Sequence, residues 1–71
     1  MPSSVIRAFH YRPEDHALDV TFVSGRRYRY LEVPENLHRR MREAFSKGEF
    51  FNAQIRDRFA FVRLEDVREA S

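Results

Sequence analysis

The chain has no cysteine, which rules out both a disulfide framework and a thiolate metal site. A small secreted domain usually needs such staples, so the sequence reads as soluble and cytoplasmic. No run approaches the roughly 18 apolar residues of a membrane span, and no membrane partner is expected. The opening Met1-Pro2-Ser3-Ser4-Val5-Ile6-Arg7 lacks the basic-then-apolar order of a signal peptide. Only two glycines are present, too few for a glycine-rich phosphate loop. The serines stand in turns or near the ends of the chain, with no nucleophile motif around them. His10, His16 and His38 are six and twenty-two positions apart, far from the close spacings of metal-binding motifs. Glu14-Asp15 and Glu65-Asp66 read as turn and tail acids, not as an acid/base pair. A chain of 71 residues makes one small domain, with little room for an enclosed pocket. Together these absences point away from catalytic residues, a cofactor, a metal or a small-molecule substrate.

What is abundant is arginine. Twelve of the thirteen basic residues are arginine, the planar, bidentate donor favoured for phosphate contacts and base stacking. The net charge is +2, but residues 26–42 hold six arginines against two glutamates, a local +4 that leaves −2 for the rest. The six are Arg26, Arg27, Arg29, Arg39, Arg40 and Arg42. Such clustering points to an acidic partner, although charge runs also serve simply as solvated surface.

The hydrophobic pattern places the elements. Val5–Tyr11 reads as a first strand, rich in β-branched and aromatic residues. Ile6 and Phe9 both look core-bound but differ in parity, so a bulge near Arg7 or Ala8 is expected. Pro13 and Asp15 suit a turn over residues 12–16, with Asp15 capping its own backbone. Ala17–Val23 alternates cleanly, with Leu18, Val20 and Phe22 on one face and Asp19 and Thr21 on the other. Gly25 turns the chain into a third strand, Arg27–Val33. Pro34 suits a first helical position, and Leu37, Met41, Ala44 and Phe45 then follow helical spacing. Gly48 reads as a helix stop. Glu49 opens a second short helix in which Phe51 and Ile55 share a face, with Phe50 nearby. The expected fold is a two-layer α+β domain, a three-stranded antiparallel meander covered by two short helices in the order β-β-β-α-α. After Phe59 the pattern fits a fourth strand or a frayed helix, and an extended segment followed by disorder is the preferred reading.

The length of the hairpin loop decides where the tyrosines point. A two-residue loop would bury Arg27 and Arg29 beneath Phe22 and Val20, at several kcal/mol for each unpaired charge. A three-residue loop containing Gly25 reverses this. Tyr28 and Tyr30 then join the core face with their hydroxyls at its rim, while both arginines face water. In the opposite register the same rings would form an exposed stacking platform, as in single-stranded nucleic-acid binders. The arginines of the sheet and of the first helix lie on opposite sides of the layer and need not form one patch. Arg26, at the hairpin tip, can join either.

These residues in this order resemble a known family, the lysyl-tRNA synthetase C-terminal domain or KTSC domain. The resemblance is carried by Ser3-Ser4 with Ile6, Tyr11, Leu18-Asp19-Val20-Thr21-Phe22, Gly25, Tyr28-Arg29-Tyr30 and Val33-Pro34. Ser46-Lys47-Gly48, Phe51-Asn52 and Ile55-Arg56 complete it. It spans Ser3 to Phe59, 57 of the 71 residues, and divides the chain into a KTSC-like domain over 1–59 and an extension over 60–71. His10 departs from the family, which often has glycine there. The family occurs at the end of some bacterial lysyl-tRNA synthetases and as a stand-alone bacterial protein, so the resemblance implies a bacterial RNA-binding module. It adds Lys47, Asn52 and Arg56 as candidate contacts, where the residues alone assign Gly48 and Asn52 to the turn between helices. Two functions follow as expectations. One is a non-enzymatic RNA-binding module that uses the six arginines with Lys47 and Arg56. The other is a protein-interaction or self-association module that uses a sheet edge or Phe61, Val62 and Leu64.

Overall fold

The computed structural model describes residues 6–64. Val5 at the expected start of the first strand, and the expected disorder of the last residues, lie outside them. β1 (Ile6–Arg12), β2 (Ala17–Phe22) and β3 (Arg27–Tyr30) form the antiparallel meander, and α1 (Glu35–Glu43) and α2 (Lys47–Gln54) follow. A further strand, β4 (Phe61–Arg63), pairs antiparallel with β3. The sheet therefore has four strands in the order β1-β2-β3-β4, not the expected three.

The bulge in β1 lies where parity demanded it, with the register shifting between Ile6 and Ala8. That shift lets Ile6, Phe9 and Tyr11 all pack against the core. The β2–β3 hairpin closes through a three-residue loop, Val23-Ser24-Gly25. The Phe22 N–H donates to the Arg26 carbonyl at 2.9 Å, and the Gly25 N–H donates to the Phe22 carbonyl at 2.8 Å. Gly25 has φ +96°, a conformation in which a side chain would be strained. Val20 then opposes Tyr28 and Leu18 opposes Tyr30, so the tyrosines share the core face with β2.

β3 is shorter than expected. After Tyr30 the chain leaves the sheet, with Glu32 at φ +57°, and delivers Val33 to the core. Backbone bonds hold it there: the Val33 N–H donates to the His16 carbonyl at 2.7 Å, and the Val33 carbonyl accepts from the Tyr11 hydroxyl at 2.6 Å. In the 12–16 turn the Asp15 carboxylate accepts from Arg12 Nε at 3.0 Å, an ion pair instead of the expected self-cap.

Both helices depart from their expected ends. Pro34 is the residue before α1, in extended backbone, and not its first helical residue. α1 stops at Glu43 because Ala44 turns extended (φ −69°, ψ 146°). Phe45 is thereby removed from the stripe and stands fully exposed. Gly48 is not a stop but a buried residue in the first turn of α2. The local cause is Ser46, whose hydroxyl accepts from the Glu49 N–H at 3.2 Å and caps α2 ahead of Gly48. The core gathers Leu18, Val20, Tyr30, Val33, Leu37, Met41, Phe51 and Ile55, drawn from both layers.

His38, expected on the helix surface, instead stacks on Tyr11 with centroids 4.8 Å apart and meets Phe9 edge-on at 5.8 Å. Burial is the main cause that lowers its pKa from 6.5; Arg42 and His10 also lower it, and Glu35 opposes them. The unfolded chain thus takes up this proton more readily than the folded one, so stability falls as pH drops below 6.5 toward the folded value. His38→Phe keeps the ring contacts and removes the titration. We expect urea midpoints at pH values either side of 6.5 to differ less in this variant than in the parent. Equal differences would place the acid sensitivity elsewhere.

Candidate functional site

The tip of the β2–β3 hairpin meets the chain just after α2. There, Phe22, Val23, Ser24, Arg26, Tyr28 and Arg56 line an open groove of about 330 Å³. Its walls follow from the hairpin geometry. Phe22 and Tyr28 lie diagonally across β2 and β3 and meet edge to face at 5.4 Å. Val23 is expelled to the surface because it begins the loop. Arg26 follows Gly25 at the loop's end, and Arg56 follows α2. Its Nη1 donates to Asn52 Oδ1 at 3.4 Å, one helical turn earlier. Among the described residues, neither Arg26 nor Arg56 is paired with a carboxylate.

Tyr30, two residues beyond Tyr28 on β3, is buried against Phe51 edge-on at 5.1 Å. Burial raises its phenol pKa above the usual 10.0; the positive charge of Arg56 opposes the rise, and Tyr28 and Asp57 add to it. Arg56 thus acts electrostatically on the buried face of the site as well as on the groove. Phe61 on β4 stacks against Tyr28 at 5.2 Å, with the rings 9° from parallel, and tilts over Tyr30 at 5.2 Å.

The remaining predicted contacts lie elsewhere. Arg27 lies on the open sheet face beside Asp19, Thr21 and His10, along a hollow of about 200 Å³. Arg29 on that face donates to both Asp19 oxygens, at 2.8 and 3.2 Å. That pair is part-buried and cross-strand, and it commits the guanidinium to the sheet. Arg39 is exposed on α1, and Arg40 sits 5.7 Å over the Phe50 ring. Arg42 acts on His38, which stacks on β1 at the edge of the sheet opposite β4. Lys47 Nζ donates to the Ala44 carbonyl at 3.0 Å and closes the joint between the helices. Gly48 is buried in the same joint.

The structure therefore brings together Arg26, Tyr28 and Arg56, with Tyr30 and Asn52 supporting them. Phe22 and Val23 were missed as site residues, and Phe61 was expected only as a contact for a protein partner or a second copy. Val23 carried a signal, an apolar residue directly before a turn, whereas placing Phe61 beside Tyr28 needed the fourth-strand alternative and its pairing with β3. A second hollow, of about 430 Å³ between Asp15, His16, Glu32, Val33 and Pro34, has two carboxylates in its lining and does not suit an anion. Among the described residues no group of three or more histidines or carboxylates is placed to hold a metal ion. No helix among them is long and apolar enough to cross a membrane.

A family model described as the KTSC domain matches residues 2–59. A KTSC domain protein from Yersinia pestis has a crystal structure that superposes with a TM-score of 0.82 at 35% identity, covering 89% of each chain. An uncharacterized protein of Stutzerimonas stutzeri is 42% identical over 52 residues, 73% of either chain. A lysine–tRNA ligase of Nostoc punctiforme is 38% identical over 61 residues, which is 86% of this chain but 11% of the ligase. The chain thus spans about a tenth of the length of the ligases it matches.

Proposed function

The chain belongs to the KTSC domain family, and on that premise we propose that it is a small non-enzymatic binding module that engages RNA through the Arg26–Arg56 groove. The observation that carries this reading is two guanidiniums without carboxylate partners among the described residues, flanking an aromatic-walled groove. Guanidiniums bind phosphate oxygens bidentately, and adjacent apolar walls suit the bases between phosphates. Similarity to one region of a lysine–tRNA ligase makes an RNA the natural anionic partner, although the matched region is only 11% of that ligase. The cationic residues on α1 and on the open sheet face act at longer range, by raising the local concentration of a polyanion.

The test is an amide-shift titration with bulk tRNA and with single-stranded RNA over a series of salt concentrations. Shifts are expected at residues 22–28 and 52–56. The logarithm of the affinity should fall linearly with that of salt, by roughly 0.7 per phosphate contacted on a single strand. A salt-independent affinity, or no shifts at low salt, overturns the reading.

A second reading rests on apolar exposure. Phe45 is fully exposed and Val62 38% exposed on the edge strand, which suits a protein partner or self-association. It predicts a dimer by size exclusion with light scattering; a monomer at every concentration removes self-association.

A further inference from the structure

Phe61 is the outer ring of a two-ring ladder with Tyr28 and also tilts over Tyr30, each at 5.2 Å. Tyr30 is buried, Tyr28 is half-buried, and Phe61 is 47% exposed although it stacks on Tyr28. β4 is an edge of the sheet, so among the described residues no further strand covers the far side of this ring. A phenyl ring that only sealed the tyrosines would bury more of itself. Arg63, two residues on and opposite Tyr28, shares its face of β4, and Arg56 lines the groove together with Tyr28. An aromatic face at a sheet edge, parallel to its inner neighbour and set among guanidiniums, matches what an unpaired nucleobase needs: a flat surface within reach of phosphate donors.

We propose that the outer face of Phe61 is a stacking site for one unpaired base of RNA, continuing the Tyr28–Phe61 ladder by one ring. This rests on the RNA reading above and extends it: the module prefers single strands, and the preference comes from a residue beyond the family match at 2–59. A duplex, whose bases are already stacked, gains only the phosphate contacts.

Two variants test it, with a single-stranded oligoadenylate and an RNA duplex of equal length as probes. Phe61→Leu keeps an apolar side chain and removes the ring. It should weaken single-strand binding about tenfold, the low end expected for one stacked base, with duplex binding within about twofold. Equal losses for both probes, or none for either, overturn the proposal. Phe61→Trp introduces the chain's only tryptophan and reads stacking directly even if the leucine variant folds poorly. Its emission should be quenched by the single strand and much less by the duplex. Unmoved emission at saturating single strand would refute stacking while leaving phosphate binding intact. If the parent chain binds neither probe, the RNA reading itself fails and the stacking site with it.

Discussion

Truncating Phe51 to alanine should remove most of the folding free energy. Phe51 is the largest fully buried side chain among the described residues, and it meets Phe22 edge-on at 5.6 Å and Tyr30 at 5.1 Å. It is therefore the contact through which α2 holds the hairpin. Phe→Ala in a core costs about 3–5 kcal/mol, because the transfer energy is lost and the cavity only partly collapses. At roughly 0.05–0.15 kcal/mol per residue, a domain of 71 residues has only about 4–11 kcal/mol in total. With a urea m-value near the low end of about 1–3 kcal/mol/M, the midpoint should fall by roughly 2 M or more, or the variant should be unfolded without denaturant. The aromatic floor of the groove would loosen with it, since Tyr30 and Phe22 each lose an edge contact. A midpoint shift under about 0.5 M at an unchanged m-value would show that Phe51 is not the keystone of this core.

The hairpin was legible because one penalty outweighed all others. Burying Arg27 and Arg29 costs more than any difference between turn types, so parity, loop length and the inward direction of Tyr28 and Tyr30 follow together. The β1 bulge was legible for a similar reason, since Ile6 and Phe9 cannot share a face without it. What the sequence hid depended on weaker or longer-range terms. β4 has three residues, and its pairing to β3 is settled by partners across the fold, including the Leu31 N–H donating to the Ala60 carbonyl at 2.8 Å. Helical spacing alone could not show that Ala44 turns extended, so Phe45 was carried into the stripe by extrapolation. Gly48 misled because its stop signal was read without the Ser46–Glu49 cap that starts α2 ahead of it. Half of the site was similarly visible. Arg26 at a hairpin tip is a local feature, but its meeting with Arg56, thirty positions later, exists only once both helices dock on the sheet.

That meeting yields the sharpest expectation for RNA binding. Arg26→Ala and Arg56→Ala each remove one charge beside the groove, and Arg42→Ala removes one over β1, where Arg42 acts on His38. All three change the net charge equally, so a partner held by diffuse attraction would respond equally to each. Localised phosphate contacts would not. Hydrogen bonds to charged groups contribute about 1.5–3 kcal/mol each, so the double Arg26/Arg56 variant should lose roughly 100-fold in affinity for single-stranded RNA at low salt. Its log-affinity against log-salt slope should flatten by roughly 1.4, two contacts at about 0.7 apiece, while Arg42→Ala stays within about twofold with its slope unchanged. Folding is not at stake in either groove position, because both side chains are exposed and neither forms an ion pair among the described residues. Three equal and small losses would locate the binding free energy in the overall field of the arginines and remove the groove as its seat.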